Sequence, residues 1–462
     1  MSFRELSTKY CREGAQLSQH NESKQHSQNY IAQVCEQVRW KKAHDAVSEE
    51  LLAHIEDQAE VYREEGYTED EAEYLAVEQM GDPVLAGSQF DKVYKPRMEW
   101  NVLCLAGTII LLGTVLRLTL LSAAGEPIYC GNELLKLLVA LSFLVLGYCM
   151  DYTVLLSGKL LIVFSGIVAV LTAHLSKIVF IDSWYTPAHY TIPLWILLLC
   201  ATLYRVRHKG KDGFLILFAE IMIMLWIFIF LFDSNLSGAM IWLGSCFVLA
   251  LYALQIDWFG CSKRWLWMFS LYPLIILYFI FSMPHRINRV LAMFDPFSDP
   301  MGSGYVQCQI VDAMCNANLF GSGGVTLAYL AKNLPDMHDY ILTLALSHWG
   351  WVSILIILLS YGLFFAFCFM ATRKVKSEMG KLMMVAIISC WVMQFMSYFI
   401  VNFTTLQMST YPLLFVQGGW MRIINLFLLG ILLSVYKTGA VQKDSQPVVK
   451  MRKMKTKEQF FS

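Results

Sequence analysis

Charge is scarce in this chain. Asp, Glu, Lys and Arg make up only 16% of its 462 residues, 56% are hydrophobic, and the mean hydropathy is +0.49. A soluble domain of this size is not so apolar, which excludes an ordinary globular enzyme. No excess of either sign remains, because 36 basic residues balance 36 acidic ones. That balance averages unlike parts. Residues 41–80 are heavily acidic, while the loops between later apolar runs, and the C-terminus, are basic. The first 29 residues lack an apolar core. A polar tail of Ser, Gln, His, Asn and Lys cannot be a signal peptide, which needs an apolar run of about 7–15 residues. Zinc-ligand spacing is missing among the 12 cysteines. About half of them fall in apolar runs, where free Cys packs as a small hydrophobe. Cys308 and Cys315 share one long polar stretch and are the pair that could form a disulfide.

What is present begins with helix signals. Ile31, Val34, Cys35 and Val38 repeat at i, i+3, i+4, i+7. Val47, Leu51, Ile55, Ala59 and Tyr62 mark one face of a second helix, and Gly66 is placed to end it. Thr68 with Glu71 makes a capping box for a third helix that should stop at Gly81. Asp82-Pro83 reads as an N-cap followed by proline at the first helical position, opening a fourth helix to about Tyr94. The division expected is a disordered polar tail over 1–29, a small helical cytoplasmic domain over 30–95, a membrane domain over 100–437 and a basic tail over 438–462. The runs Val38-Arg-Trp-Lys-Lys-Ala-His, His54-Ile-Glu-Asp-Gln and Glu78-Gln-Met-Gly-Asp-Pro83 resemble the prefix domain that precedes permease-like membrane proteins in clostridia and their relatives. Such a prefix precedes unlike membrane domains and implies little about chemistry.

A helix needs about 20 apolar residues to cross the hydrocarbon core. Such runs are read near 101–121, 134–155, 159–176, 190–206, 213–232, 237–256, 265–283, 340–371, 381–402 and 411–436. The fold expected is therefore all-α and polytopic, with ten transmembrane helices. Lys95, Arg97, Arg205, Arg207, Lys209, Lys211, Lys263, Arg264, Arg373, Lys374 and Lys376 fall on one side of these spans, as does the basic tail. The positive-inside rule makes that side cytoplasmic, with both termini on it. The stretch from Phe294 to Asp339 is then extracytoplasmic, between spans seven and eight. Loops of this length are usually functional or disordered. This one carries aromatics, two Asp-Pro turns and glycines at turn spacing, so it should fold back on itself.

Phe294-Asp-Pro-x-x-Asp-Pro-x-Gly-x-Gly-Tyr305, then Gln309, then Leu319-Phe-Gly-x-Gly323, then Leu334-Pro-Asp-x-His338 before an Asp, resemble the large outer loop of the FtsW/RodA/SpoVE family. These SEDS proteins of bacterial cell-wall synthesis serve division, elongation or sporulation. The resemblance covers about residues 100–437. It implies a peptidoglycan glycosyltransferase of the bacterial cell membrane that polymerises lipid II, with a class B penicillin-binding transpeptidase as partner and no nucleic acid. The family's catalytic aspartate follows its Leu-Pro-Glu-x-His motif. The matching position is Asp339, with one residue fewer after His338 than usual, and Asp336 is the alternative. A sugar hydroxyl must attack an anomeric carbon bearing a pyrophosphate, and a carboxylate can take its proton. The leaving pyrophosphate needs cationic stabilisation, which a divalent cation would also supply. Arg286, Arg289, Lys332 and Arg422, with His338 and Gln309, are the substrate-binding candidates. Without the resemblance, Asp339 would read as a helix-entry residue favoured by the helix dipole.

Some family positions are absent. Where the family has Gln-Pro-Ser-Glu-x-x-Lys entering span four, this chain has Thr186-Pro187-Ala188-His189-Tyr190-Thr191-Ile192. Leu346-Ser-His-Trp-Gly350 replaces Gly-Glu-Glu-Leu-Gly, and the last-span motif survives only as Pro412-Leu-Leu-Phe-Val-Gln-Gly-Gly-Trp420. Ionisable residues inside membranes are costly and usually functional, so losing them points to altered substrate handling or lost activity. His189 and His348 sit where the family has carboxylates and read as interior histidines with ordinary hydrogen bonds, or else as groups that bind a proton or an anion. Trp391, Phe395 and Tyr398 read as packing. Two other classes of function follow: a non-catalytic scaffold that recruits cell-wall enzymes, and a lipid flippase or permease. The latter should show internal repeats with helices broken at mid-membrane, and none is visible in the sequence.

Overall fold

The computed structural model describes residues 25–96, 98–125, 130–153, 158–174, 190–231, 236–260, 263–271, 274, 277, 281, 284–334, 337–405, 413–416 and 419–439. They fall into two compact units, one of residues up to Arg97 together with Lys437 onward, the other Met98–Tyr436. Among the described residues every regular element is helical.

The first unit holds four helices: α1 over 25–37, α2 His44–Glu64, α3 Glu69–Gln79 and α4 Pro83–Tyr94. Val34, Val38, Val47, Leu51, Ile55, Ala72 and Ala76 form its buried core. The local signals are realised as chemistry. Glu71 Oε2 accepts from the Thr68 backbone N–H at 3.2 Å and from Thr68 Oγ1 at 2.8 Å. Those bonds hold the Glu71 carboxyl below its usual range. Asp82 Oδ1 accepts from Val84 N at 2.9 Å, and Gly66 and Gly81 take positive φ beyond their helices. The described part of α1 includes residues 25–29, which the sequence assigns to the polar tail; there Ser27 is buried and donates to Glu73 Oε1 at 2.6 Å.

The second unit contains α5 Trp100–Ala124, α6 Cys130–Cys149, α7 Gly158–His174, α8 Ile192–Val206, α9 Gly210–Leu231 and α10 Leu236–Gln255. A three-ten stretch Lys263–Ser270 follows, and most of the expected seventh span beyond it lies outside the described residues. Next come α11 Pro284–Phe294, α12 Tyr305–Cys315, α13 Leu327–Asn333, α14 Ile341–Trp349, α15 Trp351–Lys374, α16 Glu378–Phe403 and α17 Gly419–Gly439. Five described helices are long and apolar enough to cross a membrane: Trp100–Ala123, Ser237–Gln255, Trp351–Lys374, Glu378–Phe403 and Gly419–Gly439. Lys159–His174 and Ile192–Val206 are shorter apolar helices.

Packing ranks the helices. α16 is the hub and lies against α8, α10, α12, α14 and α15. Trp391, Phe395 and Tyr398 on it are buried, as packing residues should be. α5 and α15 turn Leu111, Val115, Leu355 and Leu359 outward, which suits a hydrocarbon solvent and no aqueous one. α6 and α17 cross at Gly147 and Gly430. A Cβ on either would stand 2.2–2.4 Å from a carbonyl oxygen of the other helix, so only glycine permits that approach.

Two expectations need correction. The eighth span, read as one helix over 340–371, is two: α14 and α15 part at Gly350, where φ is 79° and ψ −174°. Cys308 and Cys315, the pair that could have formed a disulfide, do not pair. Both are free thiols, one buried and one exposed, about two turns apart on α12.

Candidate functional site

The polar stretch between α11 and α14 folds as a series of short clamps. Asp295 Oδ1 accepts from Phe297 N at 3.2 Å, turning the chain at the first Asp-Pro. Asp299 Oδ2 accepts from Ser303 N at 2.8 Å and Ser303 Oγ at 3.1 Å at the second. These bonds hold the Asp299 carboxyl below its usual range. Gly304 lies so close to Pro296 that a Cβ would meet its carbonyl oxygen at 2.0 Å. The spacing of prolines, aspartates and glycines is therefore the spacing of one compact turn. It is tied to the bundle where Thr405 Oγ1 donates to Met293 O at 2.6 Å.

The Leu-Phe-Gly-x-Gly segment does different work. Gly321 N and Gly323 N donate to Trp349 O (3.1 Å) and Ser347 O (2.9 Å), filling carbonyls that the end of α14 leaves open. Trp351 N and Val352 N donate to Asn318 O (3.1 Å) and Leu319 O (3.2 Å), filling amides that the start of α15 leaves open. The break at Gly350 is thus stitched on both sides by one loop. Its backbone lies in a region open essentially to glycine alone, and a Cβ there would stand 2.4 Å from Asn318 O.

At the other end of α14 stands Asp339, half-buried, in the three-ten turn Met337–Tyr340. α16 holds this end. Tyr398 Oη accepts from Ile341 N at 3.1 Å, and Asn402 Oδ1 accepts from Thr343 N at 3.2 Å. Asn402 Nδ2 donates to the Asp339 carbonyl at 3.0 Å. Two first-turn amides of α14 are thereby capped from a neighbouring helix. Asp339 sits two residues before the helix, where the dipole favours an anion. A carboxylate carried on a backbone held in this way can accept a proton from a bound hydroxyl.

Of the other expected residues, Gln309 is on α12 and Lys332 is exposed in the last turn of α13. Both helices pack on α14, so the elements bearing Gln309, Lys332 and Asp339 converge. Gln309 Oε1 is buried without a hydrogen-bond partner among the described residues, a polar group facing inward. Arg286 and Arg289 lie on α11, and His338 lies on the three-ten turn, their side chains outside the described residues, as is Asp336 entirely. His189 also lies outside them. His348 packs edge-on against Trp349, with ring centroids 4.7 Å apart. Arg422 makes its contacts elsewhere: it is buried between α17, α6 and the 413–416 turn, and its guanidinium donates to Val416 O. No group of three His, Cys, Asp or Glu side chains among the described residues is arranged to hold a metal ion.

Sequence reasoning did not find Asn402 as the residue that fixes Asp339. Its signal was a polar amide in an apolar span, one turn after Tyr398. It also missed an apolar cavity of about 260 Å³ beside α14, lined by Leu112, Leu116, Trp349, Ile357, Tyr361 and Val416 among others.

Several helices long and apolar enough to span a membrane, packed into one bundle with a short stitched helix, α14, define a polytopic membrane protein. The FtsW/RodA/SpoVE model of cell cycle proteins matches residues 186–440, more than half of the chain, and the chain belongs to that family. A probable peptidoglycan glycosyltransferase FtsW of Thiomicrospira cyclica is 32% identical over 90 residues, 19% of this chain and 23% of that protein. One of Escherichia coli O157:H7 is 33% identical over 85 residues, 18% and 20% of the two chains. The matches thus span about a quarter of the curated relatives. Among solved structures, a chain from work on polymerization and crosslinking by a peptidoglycan synthase complex superposes with a TM-score of 0.57 at 20% identity, covering 74% of this chain and 98% of that one. A mutant of the rod shape determining protein RodA of Thermus thermophilus gives 0.52 at 16%, with the same coverage. These two likenesses establish the fold.

Proposed function

We propose that this chain is a peptidoglycan glycosyltransferase that polymerises lipid II at the outer face of the bacterial cell membrane, with Asp339 as general base. The observation that carries the reading is the fixation of Asp339. Asn402 holds its backbone carbonyl, and Tyr398 and Asn402 hold the adjoining α14 amides, so the main chain that carries the carboxylate is fixed. Positioning of this kind is what a proton acceptor needs in order to contribute rate. The relatives' names, probable peptidoglycan glycosyltransferase FtsW, support the same chemistry. We assign Gln309, His338 and Lys332, together with Arg286 and Arg289, to the sugar and pyrophosphate. A divalent cation would serve the leaving pyrophosphate equally well. In this reading the ten spans run with both termini cytoplasmic, residues 284–339 are extracytoplasmic, and residues 30–95 form a prefix that acts on regulation or partner choice. A class B penicillin-binding transpeptidase is the proposed partner.

One observation favours a second reading, a scaffold without catalysis. Ile192 stands where the family has a lysine, and it is buried in the apolar core at the start of α8. Purified protein, co-expressed with its transpeptidase and supplied with lipid II, distinguishes the two. The enzyme reading expects glycan strands. Capture of the transpeptidase with no polymer would leave the scaffold.

A further inference from the structure

At one end of α5, α6 and α17 the membrane unit buries more positive charge than it neutralises. Arg117 of α5 chelates the Glu133 carboxylate of α6. One guanidinium nitrogen makes a short bond to Oε2, and the other lies 3.4 Å from Oε1. Lys136 Nζ donates to the same Oε1 at 3.0 Å. Arg422 of α17 approaches Oε2 only to 4.0 Å and spends a guanidinium N–H on Val416 O. Three cations thus share one carboxylate among the described residues. Lys136 reaches in from the surface, its side chain 55% exposed, but the two arginines do not: the side chains of Arg422, Arg117 and Glu133 are 5%, 14% and 17% exposed. The Nε atoms of Arg117 and Arg422 are both buried and without a hydrogen-bond partner.

Burying an uncompensated cation is costly, and so is leaving a charged donor unbonded. Replacing a buried ion pair by apolar side chains is often neutral or stabilising, so stability alone does not account for the arrangement. An anionic ligand would. The chemistry narrows which one. Guanidinium forks match the oxygens of a phosphate. Val416, whose carbonyl Arg422 holds, also lines the apolar cavity between α5 and α15. Leu116, next to Arg117 in sequence, lines it too. An anion carrying a hydrocarbon chain fits both features.

We propose that Arg117 and Arg422 form a binding site for the phosphate-bearing headgroup of a lipid, with Glu133 holding the guanidiniums in place when the site is empty. The site deepens the glycosyltransferase reading if the headgroup is a prenyl pyrophosphate, and stands apart from it if the headgroup belongs to a bulk phospholipid. Glu133 then competes with the ligand, and this gives a sign that a purely structural ion pair would not.

The test uses the full chain in nanodiscs of phosphatidylcholine. Binding of undecaprenyl pyrophosphate and of phosphatidylglycerol is measured by native mass spectrometry for wild type, Arg422→Gln, Arg422→Lys and Glu133→Gln. We expect Arg422→Gln to weaken binding by about tenfold or more, Arg422→Lys to keep part of it, and Glu133→Gln to strengthen it. Retention of the pyrophosphate alone would mark a substrate site; equal retention of both would mark an anionic-phospholipid site. Binding unchanged in Arg422→Gln, or weakened in a folded Glu133→Gln, would overturn the proposal, as would no binding of either lipid. Polymerisation is not the readout, so a silent enzyme and an empty anion site are told apart.

Discussion

Asn402 decides more of the site than any charged residue. One amide side chain accepts from the backbone N–H of Thr343 in α14 and donates to the carbonyl of Asp339. Removing it leaves a buried amide of Thr343 unpaired, which costs about 1–3 kcal/mol. Asn402→Ala should therefore lower polymerisation by about tenfold or more in a protein that still reaches the membrane. Activity unchanged in a well-expressed variant would show that Asp339 is held by something else. Asp299 gives a second residue-scale expectation. Its carboxyl is depressed chiefly by the Ser303 backbone N–H, so its stabilisation is present above the unfolded pKa and lost as pH falls through the lower folded value. Amide exchange at Gly302–Tyr305, corrected for intrinsic rates, should be faster at about pH 3 than at about pH 6. Equal protection at both would detach the turn from that carboxylate. The Asp-Pro turns were legible in the sequence because they are local. The Asn402 contact was not, because it joins residues about 60 positions apart and no local rule refers to it.

Among the elements, α14 is the one that sequence periodicity hid. Residues 340–371 are uniformly apolar, and a break stitched by backbone hydrogen bonds leaves no mark in a hydropathy window. Gly350 between two tryptophans was the only local sign. Its conformation is closed to other residues, at a cost of about 1–3 kcal/mol, and a Cβ would also meet Asn318 O. Gly350→Ala should abolish polymerisation and lower the thermal midpoint, measured by scanning fluorimetry in detergent. Ala at Gly107, where nothing lies within 4 Å, is the matched control and should do neither. Identical behaviour of the two variants would mean that the junction between α14 and α15 is not needed. By contrast, the caps of α3 and α4 were legible to the residue, since Thr68, Glu71, Asp82 and Pro83 act within their own helices.

For the whole molecule, the apolar runs gave the class of fold and the expected number of spans, while their direction rests on the charge pattern alone. The proposed orientation makes a sided prediction. In a background without reactive native thiols, a membrane-impermeant maleimide applied to intact cells should label Ser298→Cys and miss Lys211→Cys, both at exposed positions. The opposite pattern would reverse the molecule and remove Asp339 from the outer face. Family membership narrows the function, yet the curated relatives match only about a quarter of their length. The claim of catalysis therefore stands or falls on chemistry done by this chain.

The most direct measurement is glycan strand formation from lipid II by purified wild type and by Asp339→Asn, side by side with a transpeptidase present. The change keeps the shape of the side chain and removes its capacity to take a proton. The account predicts strands from the wild type and a fall of about 10²–10⁴-fold in the variant, with both proteins equally folded. Strands made equally well by the two would contradict it.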